Sequence, residues 1–541
     1  MITGAQAMVE CLKNEGVSVI FGYPGATIAP FYNSLYDSGL RHVLTRTEQG
    51  AGHSASGYAR MNGIPGVCVT TSGPGATNLL TAIATAYSDS IPLVAITGQV
   101  ATAQLGRDVF QEVDTTGAAE PFTKHSYLIK SAEDIPRAFK EAFYIANTGR
   151  KGPVLIDIPV DVQQELLDFR YPETVSIRGY KPKTEGHPVQ VRKVSEAMSK
   201  AKRPLICCGG GVFLSGAESI VRRFCDDTGI PAVSTMMGTG VLPYDHPLYY
   251  GMIGQSGTKT GNIAVNESDL LILIGARVGD RAITRPKNLQ EHATIVHIDI
   301  DSAEIGKNVG TTIPLVGDVS RVLEKLGAYD IKSDCGEFKS RLDTLRHSER
   351  KALSDRPLPL AGVAPNRFVQ TLCEKLPDES IYIADVGQNQ IWSAKNFSAA
   401  NGRFLTTGGM GTMGYSIPAA VGAKLSCPQR NVVAVCGDGA FQMSMNEIAT
   451  ACQHEVPIKI VVMNNGKLGM VKEIQDGKWS GRQWGVDLSG SPSFAKIAEA
   501  FGIGYSKAGG MDDCEAAIDA MLSSRGIFLL ECTVSPEEVS Y

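Results

Sequence analysis

The sequence predicts an α/β protein made of three doubly wound parallel-sheet domains. Its 541 residues are enough for about three domains of ordinary size. Short apolar runs that end near glycine alternate with helix-period segments, and this alternation is typical of parallel sheets covered by helices on both faces. Two polar segments that contain several prolines separate three such sets. We therefore expect domains over residues 1–170, 188–335 and 362–541.

Composition and charge argue against several classes of protein. A net charge of -5 gives no reason to expect a nucleic acid or an anionic membrane as a partner. No apolar run reaches transmembrane length. The first residues lack the pattern of a signal peptide, and Thr3 and Gln6 instead fit a capping box that opens a helix. The 12 cysteines show no paired CxxC spacing, so we expect reduced core thiols in a cytoplasmic protein.

The predicted first domain alternates the strands VSVIFG, HVLTRT, VCVTTS and LVAITG with helices. Glu48 directly follows HVLTRT, and a glutamate at a helix start is commonly a surface residue favoured by the helix dipole. SGPGATN (Ser72 to Asn78) places glycines before a helix, which suits a phosphate loop or a simple glycine turn. It lacks the Lys-Ser/Thr ending of a Walker loop.

The predicted middle domain follows the polar linker PETVSIRGYKPKTEGHPVQ. Its strand candidates are PLICCGGG, PAVSTMMG, LLILIGARVGDR, TIVHIDID and IPLVGDV. The glycines after PLICC do not form GxGxxG, so a Rossmann dinucleotide fingerprint is absent. A charged and then proline-rich segment, RHSERKALSDRPLPLAGVAP, is predicted to link this domain to the third.

The predicted third domain carries the most informative stretch of the chain. The strands NVVAVC and PIKIVVM end at Gly437-Asp438-Gly439 and at Asn464-Asn465. The helix between them has Phe441, Met445, Ile448 and Cys452 on one face. This βαβ unit places Asp438 and Asn465 at the carboxyl ends of neighbouring strands, where open α/β sheets bind ligands.

Asp438 and Asn465 supply a carboxylate and an amide carbonyl. These are hard oxygen ligands that suit Mg²⁺, and the glycines let the backbone approach a diphosphate closely. The alternative is a tight strand-to-helix turn followed by an unrelated pair of asparagines. GDG followed by NN some two dozen residues later resembles the signature of thiamine-diphosphate enzymes.

Two further segments resemble one branch of these enzymes. RTEQGAGHSASGYAR is similar to their catalytic-glutamate segment, and FQE followed by TKH resembles acetohydroxyacid synthase, also called acetolactate synthase. The resemblance covers nearly the whole chain. It implies that Glu48 hydrogen-bonds the cofactor pyrimidine and drives formation of the thiazolium ylide. It also implies that Phe110 and Gln111 face the reaction centre. Lys124 and His125 match as well, and for both a charged loop facing solvent is the alternative.

The resemblance implies a large set of cofactor contacts. For thiamine diphosphate they are Gly25, Gln388, Asn389, Gly411, Met413, Gly437, Gly439, Ala440, Asn465 and Met470, besides Glu48. Met413 would wedge the cofactor into its V shape, and it also suits a core position. Mg²⁺ would bind Asp438, Asn465 and the main-chain carbonyl of Lys467.

HIDIDSAEIGKN and the preceding GARxxDR resemble the flavin-binding middle domain of the same family. The matching positions for FAD are Arg150, Gly210, Arg277 and Asp299. Arg281 matches an arginine that meets the carboxylate of the second substrate, which is a suitable role for a bidentate cation. Without the resemblance, Arg277 and Arg281 would be interpreted as solvated loop charges.

The resemblance implies an acetolactate synthase of branched-chain amino acid biosynthesis. Pyruvate is decarboxylated, and the hydroxyethyl carbanion attacks a second 2-ketoacid to give 2-acetolactate or 2-aceto-2-hydroxybutyrate. A homodimer or homotetramer with a possible regulatory small subunit is implied too. Ile474 and Val160 stand where this family carries Trp and Lys, and Gly279 replaces an Asp. Another thiamine-diphosphate-dependent decarboxylase, oxidase or carboligase is therefore the main alternative, and a catalytically idle scaffold is the second.

Overall fold

The computed structural model describes residues 1–359 and 361–540, which form three α/β units. Each unit is built around a six-stranded sheet, and all neighbouring strands in these three sheets are parallel. Helices cover the sheets, so the central strands are buried on both faces. The predicted fold class is therefore confirmed.

The first unit has the strand order β3-β2-β4-β5-β7-β6, beside a short antiparallel pair β1-β8. Its strands are β1 Ile2–Thr3, β2 Val19–Gly22, β3 Arg41–Leu44, β4 Gly66–Thr70, β5 Leu93–Gln99, β6 His125–Leu128, β7 Pro153–Pro159 and β8 Leu166–Leu167. Its helices are α1 Gly4–Asn14, α2 Ala29–Leu35, α3 Glu48–Asn62, α4 Pro74–Ser88, α5 Thr115–Ala119, α6 Ile135–Asn147 and α7 Val160–Gln164. The predicted capping box is present, because Thr3 and Gln6 bond each other's backbone N–H groups at the start of α1.

The middle unit has the strand order β11-β10-β9-β12-β13-β14. Its strands are β9 Pro204–Cys208, β10 Ala232–Ser234, β11 Tyr249–Met252, β12 Leu270–Ile274, β13 Thr294–Asp299 and β14 Ile313–Val316. Its helices are α8 Pro188–Lys200, α9 Gly211–Leu214, α10 Glu218–Thr228, α11 Lys259–Glu267, α12 Pro286–Gln290, α13 Val319–Leu326 and α14 Gly336–Ser354.

The third unit has the strand order β16-β15-β17-β18-β20-β19. Its strands are β15 Ile381–Ala384, β16 Arg403–Leu405, β17 Val432–Gly437, β18 Lys459–Asn464, β19 Gly504–Ala508 and β20 Phe528–Thr533. Its helices are α15 Pro365–Lys375, α16 Gln388–Asn396, α17 Ser416–Ser426, α18 Asp438–Ser444, α19 Glu447–Gln453, α20 Gly469–Trp479, α21 Phe494–Phe501 and α22 Met511–Ser523. The predicted pairing of NVVAVC with PIKIVVM is seen as β17 beside β18.

The second predicted linker is wrong over residues 346–354. These residues are the end of α14, which continues from the middle unit. Their charges and helix-forming residues suit an exposed helix, and Phe338 and Leu342 anchor the beginning of α14 in the middle core. The linker was predicted from the charge of this segment alone, whereas the apolar residues that hold α14 in place lie before the segment in the sequence.

In each of the three sheets, two adjacent strands near the middle of the sheet connect onward in opposite directions. In the first sheet the chain goes from β2 to β3 on one side and then returns to β4 on the other side of β2, which leaves a gap between the connections of β2 and β4. The equivalent gaps in the other two sheets lie between β9 and β12 and between β15 and β17. Ligands in such sheets bind at the carboxyl ends of the strands that flank this gap. Gly25, Gly210 and Gln388, which the sequence analysis proposed for binding, follow β2, β9 and β15.

Helices α3 and α17 join the first unit to the third. A Cβ on Gly57 would lie 2.1 Å from the Ala419 carbonyl oxygen, and one on Gly422 would lie 1.8 Å from that of Ser54. Only glycine permits so close a crossing. Ser54 Oγ also donates to the Pro418 carbonyl at 2.9 Å across this contact.

Two further predictions concern the whole chain. All 12 cysteines are free, and ten of them are buried, as expected for core thiols. Within residues 1–359 and 361–540, no helix combines the length and apolar character needed to cross a membrane.

Candidate active site

Asp438, Asn465 and Gln388 meet at the carboxyl edge of the third sheet. Asp438 Oδ2 accepts from the Gly466 N–H at 2.8 Å, and Asn465 Oδ1 accepts from the Lys467 N–H at 3.0 Å. Asn465 Nδ2 donates to Gln388 Oε1 at 2.8 Å. This chain of contacts spans the ends of β18, β17 and β15, so the three side chains are fixed around the gap where the sheet reverses.

Asp438 is a buried carboxylate with no cation beside it. It is 2% exposed, and burial raises its pKa to about 6. In the part of the chain described here, no Lys or Arg forms an ion pair with it. A divalent cation would compensate this charge, and the nearby Asn465 carbonyl is a second hard oxygen ligand. The oxygen chemistry therefore fits Mg²⁺.

Several glycines with open space beside their Cα atoms belong to the segments around these ligands. A Cβ built on Gly387, Gly411, Gly437 or Gly466 would meet nothing within 4 Å. Gly387, Gly411 and Gly466 also have positive φ angles of 128°, 65° and 66°, which favour glycine. Asn389 is 3% exposed and its Oδ1 has no hydrogen-bond partner among the described residues. The open backbone of these glycines fits the close approach of a polar ligand such as a diphosphate.

The loop that carries Gly411 and Met413 is held by Asp385. This fully buried carboxylate accepts from the Gly414 N–H at 3.0 Å and from the Ser416 N–H at 2.8 Å. The far end of Met413 lies 3.6 Å from a Cβ built on Gly439, so its side chain packs beside the GDG segment that also contains Ala440. Asp385 was not predicted from the sequence, although it directly follows β15 and lies two residues before Gly387.

Gly469, at the start of α20, is another residue that the sequence analysis missed. A Cβ there would lie 1.9 Å from Gln388 Oε1 and 2.8 Å from Asn465 Nδ2. Glycine is needed here because α20 begins against the two binding side chains. Met470 follows it at the same end of α20. The Lys467 ammonium pairs with Asp487 at 2.7 Å, and the Lys467 backbone N–H donates to Asn465 Oδ1.

Glu48 lies at the carboxyl edge of the first sheet, as the first residue of α3. Its Oε2 accepts from Asn78 Nδ2 at 3.1 Å, so the SGPGATN segment supports the glutamate directly. Thr47 caps α3. Within the described residues of one chain, no hydrogen bond joins Glu48 to Asp438, Asn465 or Gln388.

Glu447 of the third unit holds the chain just before Glu48. Its carboxylate accepts from the Arg46 N–H at 3.1 Å, the Thr47 N–H at 2.9 Å and Thr47 Oγ1 at 3.0 Å. Thr450 Oγ1 donates to it at 2.7 Å, and the residue is 1% exposed. Sequence reasoning missed Glu447, because the contact joins residues 400 positions apart and has no local pattern.

Phe110 and Gln111 lie on a loop beside the SGPGATN segment. A Cβ on Gly73 would be 2.9 Å from Gln111 Cβ, and Gln111 itself has φ of 60°. Glu112 organises this loop by accepting from the backbone N–H groups of Gly106, Arg107 and Val109. Phe110 is 87% exposed on the isolated chain. The first unit thus gathers Gly25, Glu48 and Gln111 at one edge.

The residues predicted for a flavin follow the carboxyl ends of strands in the middle sheet. Gly210 comes after β9, Arg277 after β12, and Asp299 is the last residue of β13. Arg150 reaches this edge from the first unit, where Nη1 pairs with Glu304 at 2.7 Å and Asp301 at 3.4 Å. Burial raises the pKa of Asp299 to about 6.

Arg281 and Lys124 have different surroundings. Arg281 is exposed and donates to Gln255 Oε1 at 2.9 Å.

The structure does not bring Lys124 to the Glu48 edge. Its ammonium donates to the carbonyls of Ile145 and Thr148 and to Tyr180 Oη, so all its N–H donors are used to hold the end of α6 and the linker. Burial lowers the pKa of Lys124 to about 8. The adjacent His125 begins the edge strand β6 and is exposed.

Comparison with known proteins gives a consistent result. Three family models match, described as the N-terminal TPP binding domain, the central domain and the C-terminal TPP binding domain of thiamine pyrophosphate enzymes; they cover residues 2–118, 191–326 and 385–532. The chain is 44% identical to a probable acetolactate synthase large subunit of Methanocaldococcus jannaschii, over 99% of this chain and 92% of that protein. It is 41% identical to the acetolactate synthase isozyme 2 large subunit of Escherichia coli, over 99% and 96% of the two chains.

Proposed function

Because the chain belongs to the acetolactate synthase large subunits of the thiamine pyrophosphate enzyme family, we propose that it is a transferase that forms 2-acetolactate. Two pyruvate molecules give one acetolactate and one CO₂: a carbon–carbon bond of the first breaks, and its two-carbon unit bonds to the keto carbon of the second. The observation that carries this proposal is the joined set of Asp438, Asn465 and Gln388 at the reversal point of the third sheet. We place the reaction in the cytoplasm, in keeping with the free thiols.

Thiamine diphosphate, when bound, supplies the nucleophilic carbon that adds to pyruvate and accommodates the electron pair left by CO₂. In this chain the open backbone at Gly387, Gly411 and Gly437 would approach the diphosphate. Asp438, Asn465 and the Lys467 carbonyl would hold Mg²⁺, and Gln388 and Asn389 at the start of α16 would lie beside the diphosphate. Met413 would support the cofactor from the GDG side.

Glu48 is proposed to hold a proton at the pyrimidine ring of the cofactor. Asn78 occupies one lone pair on Oε2, which orients the carboxyl group and leaves Oε1 for a ring nitrogen. A carboxyl group held at that ring nitrogen would make the exocyclic nitrogen of the same ring basic enough to accept a proton. Phe110 and Gln111 would exclude water around the reacting carbon, and Arg281 would bind the carboxylate of the second ketoacid.

The site is proposed to form between two copies of the chain. Within the described chain no direct hydrogen bond joins Glu48 to the Asp438 set, and Phe110 projects almost fully exposed from the Glu48 edge. A partner's third unit seated on this edge would cover Phe110 and complete the site. A homodimer is then the smallest active form, and a homotetramer would contain two such pairs.

We also propose FAD in the middle unit and a separate regulatory small subunit. Gly210, Arg277 and Asp299 lie at the reversal point and carboxyl edge of the middle sheet, where such a ligand would bind. The two compared relatives carry the words large subunit in their names, which supports a small partner. Flavin absorbance of the purified protein near 450 nm tests the first proposal, and co-purification from the source cell tests the second.

Product analysis by NMR tests the central proposal. Protein supplied with thiamine diphosphate, Mg²⁺ and pyruvate is expected to give acetolactate and CO₂ in equal amounts, and the Glu48→Gln variant is expected to give neither at a significant rate. Equal turnover by Glu48→Gln would contradict the role of Glu48.

A second candidate is another carboligase or a decarboxylase of the same cofactor class. It is favoured by Ile474, which is 38% exposed on α20, and by Val160 after β7, where the family carries Trp and Lys. Acetaldehyde as the main product, or turnover only with other 2-ketoacids, would favour this second candidate over the synthase.

A further inference from the structure

A cavity of about 270 Å³ lies between the middle and third units, beside α14. This volume is roughly that of nine water molecules in the liquid. Its wall combines the segment 244–260 with α14 and with residues of α15, α16 and the end of the described chain. We name it the α14 pocket. None of the residues assigned to the active site lines it.

Positive charge dominates the wall of the α14 pocket. Its cationic side chains are Lys259, Arg346, Arg350, Arg356 and Lys395. Glu349 is the one carboxylate among the described lining residues. Both Glu349 oxygens are already used, since they accept from the Lys259 and Thr260 N–H groups and from Thr260 Oγ1 at 2.6–2.9 Å. Glu349 therefore has little hydrogen-bonding capacity left for the cationic side chains, and its single charge stands against five positive ones on the wall.

Several of these cations have few acceptors. Arg350 stacks on the Tyr244 ring at 4.6 Å, and within residues 1–359 and 361–540 it donates one hydrogen bond, to the Tyr244 carbonyl. The carboxylate nearest Arg356 is Glu538, at 3.7 Å. Lys395 donates only to the Ser540 carbonyl at 3.1 Å among the described residues, and burial lowers its pKa. Arg346 differs, because three carbonyls and Asp343 satisfy it.

We propose that the α14 pocket binds a small organic anion through a phosphate or carboxylate group held by Arg350, Arg356 and Lys395. Guanidinium groups bind both kinds of oxyanion in a bidentate manner, and the unused hydrogen-bonding capacity of this wall consists mainly of donors. Tyr244, Tyr249 and Tyr250 also line the pocket, and the parts of the rings that Arg350 and Arg346 leave uncovered would contact the organic part. This inference does not depend on the proposed reaction, because binding can be measured without turnover.

Isothermal titration calorimetry on the protein saturated with thiamine diphosphate and Mg²⁺ tests the proposal. Saturation keeps the diphosphate site filled, so that the probes report on other sites. Glycerol 3-phosphate and succinate are the probes, one for each head group. We expect at least one of them to bind, and the double variant Arg350→Gln/Arg356→Gln to weaken that binding at least about tenfold. Lys395→Gln should weaken it as well.

The control is Arg170→Gln/Arg192→Gln, which removes two exposed arginines elsewhere. It should bind the probe like the unaltered protein, and thermal unfolding should show that all variants are folded. Binding of one probe but not the other would identify the head group. The proposal is overturned if neither probe binds at about 10 mM, or if the control weakens binding as much as the pocket variants. The cations would then serve only to complement the carbonyl ends of α14 and α16.

Discussion

Glu447 fixes the position of Glu48 from another unit of the chain. Four donor groups bond its carboxylate, three of them on the two residues before Glu48. Glu447→Gln replaces one carboxylate oxygen, which accepts hydrogen bonds, with an NH₂ group that would face the donor groups of Arg46, Thr47 or Thr450. Loss of a buried charged hydrogen bond costs about 1.5–3 kcal/mol, and the start of α3 would shift. We expect kcat for acetolactate to fall about ten- to a hundredfold with thiamine diphosphate affinity changed much less.

Gln453→Ala is the matched control for Glu447→Gln. Gln453 accepts from the Arg46 side chain at 2.7 Å but does not touch the backbone before Glu48. Its kcat should stay near that of the unaltered protein. If Glu447→Gln also keeps its kcat, Glu447 does not position Glu48.

Asp157 is a buried carboxyl group that links strands β5 and β7. It accepts from Thr97 Oγ1 at 2.6 Å and from Gln99 Nε2 at 2.9 Å, and burial raises its pKa to about 7. The folded state therefore holds this proton over a range where the unfolded chain, with an ordinary Asp pKa near 3.9, has lost it. By linkage, its stabilisation is fully present below about pH 4 and is lost as the pH rises through about 7.

Thermal unfolding between pH 4 and 8 tests the assignment at Asp157. Asp157→Asn should reduce the pH dependence of Tm in this window relative to the unaltered protein, because a neutral side chain cannot titrate. Asp37→Asn, at an exposed position, should leave the pH dependence unchanged. Parallel curves for Asp157→Asn and the unaltered protein would show that Asp157 is already ionised in the folded state.

At the scale of elements, the crossing of α3 and α17 depends on two glycines. Gly57→Ala would place a methyl group against the Ala419 carbonyl, so the helices must move apart. Overpacking of this kind costs about 1–3 kcal/mol, and we expect Tm to fall by several degrees. Gly477→Ala, in α20 where a Cβ meets nothing within 4 Å, should be neutral or slightly stabilising. Equal Tm values for the two variants would contradict the tight crossing.

The elements that sequence predicts well are those with strong local patterns. The Val-rich runs that became β17 and β18 end in GDG and NN, so the strands and their side chains were predictable together. Strands β1, β6, β8, β11, β16, β19 and β20 were not predicted. Strands β6, β11, β16 and β19 are sheet edges, where weaker apolar patterns suffice, whereas β20 has a strong apolar run and is buried. Helix α14 was missed over its last residues because its apolar anchors lie at its other end.

In the molecule as a whole, the site residues that were not predicted are those whose contacts join parts of the chain far apart in the sequence. Asp438 and Asn465 were predictable because each ends a strand of one βαβ unit. Glu447 and Asp385 were not, because their carboxylates bind backbone N–H groups brought near by the fold. Lys124 was predicted from a family motif, but its surroundings in the described chain are carbonyls and Tyr180.

We predict that the two halves of each active site come from different chains. Glu48→Gln and Asp438→Asn should each be inactive alone. A mixed dimer of the two variants would contain one site with both natural residues and one site with neither. Random pairing then gives about a quarter of the activity of the unaltered protein.

Acetolactate formation after co-expression of the two variants is the most direct measurement of this claim. Each variant should carry a different affinity tag, so that mixed dimers can be isolated by two purification steps. Recovery of about half the activity per mixed dimer, from two parents that are each inactive, is the predicted result. Mixed dimers as inactive as their parents would contradict a site shared between chains and would place Glu48 and Asp438 in the same chain's site.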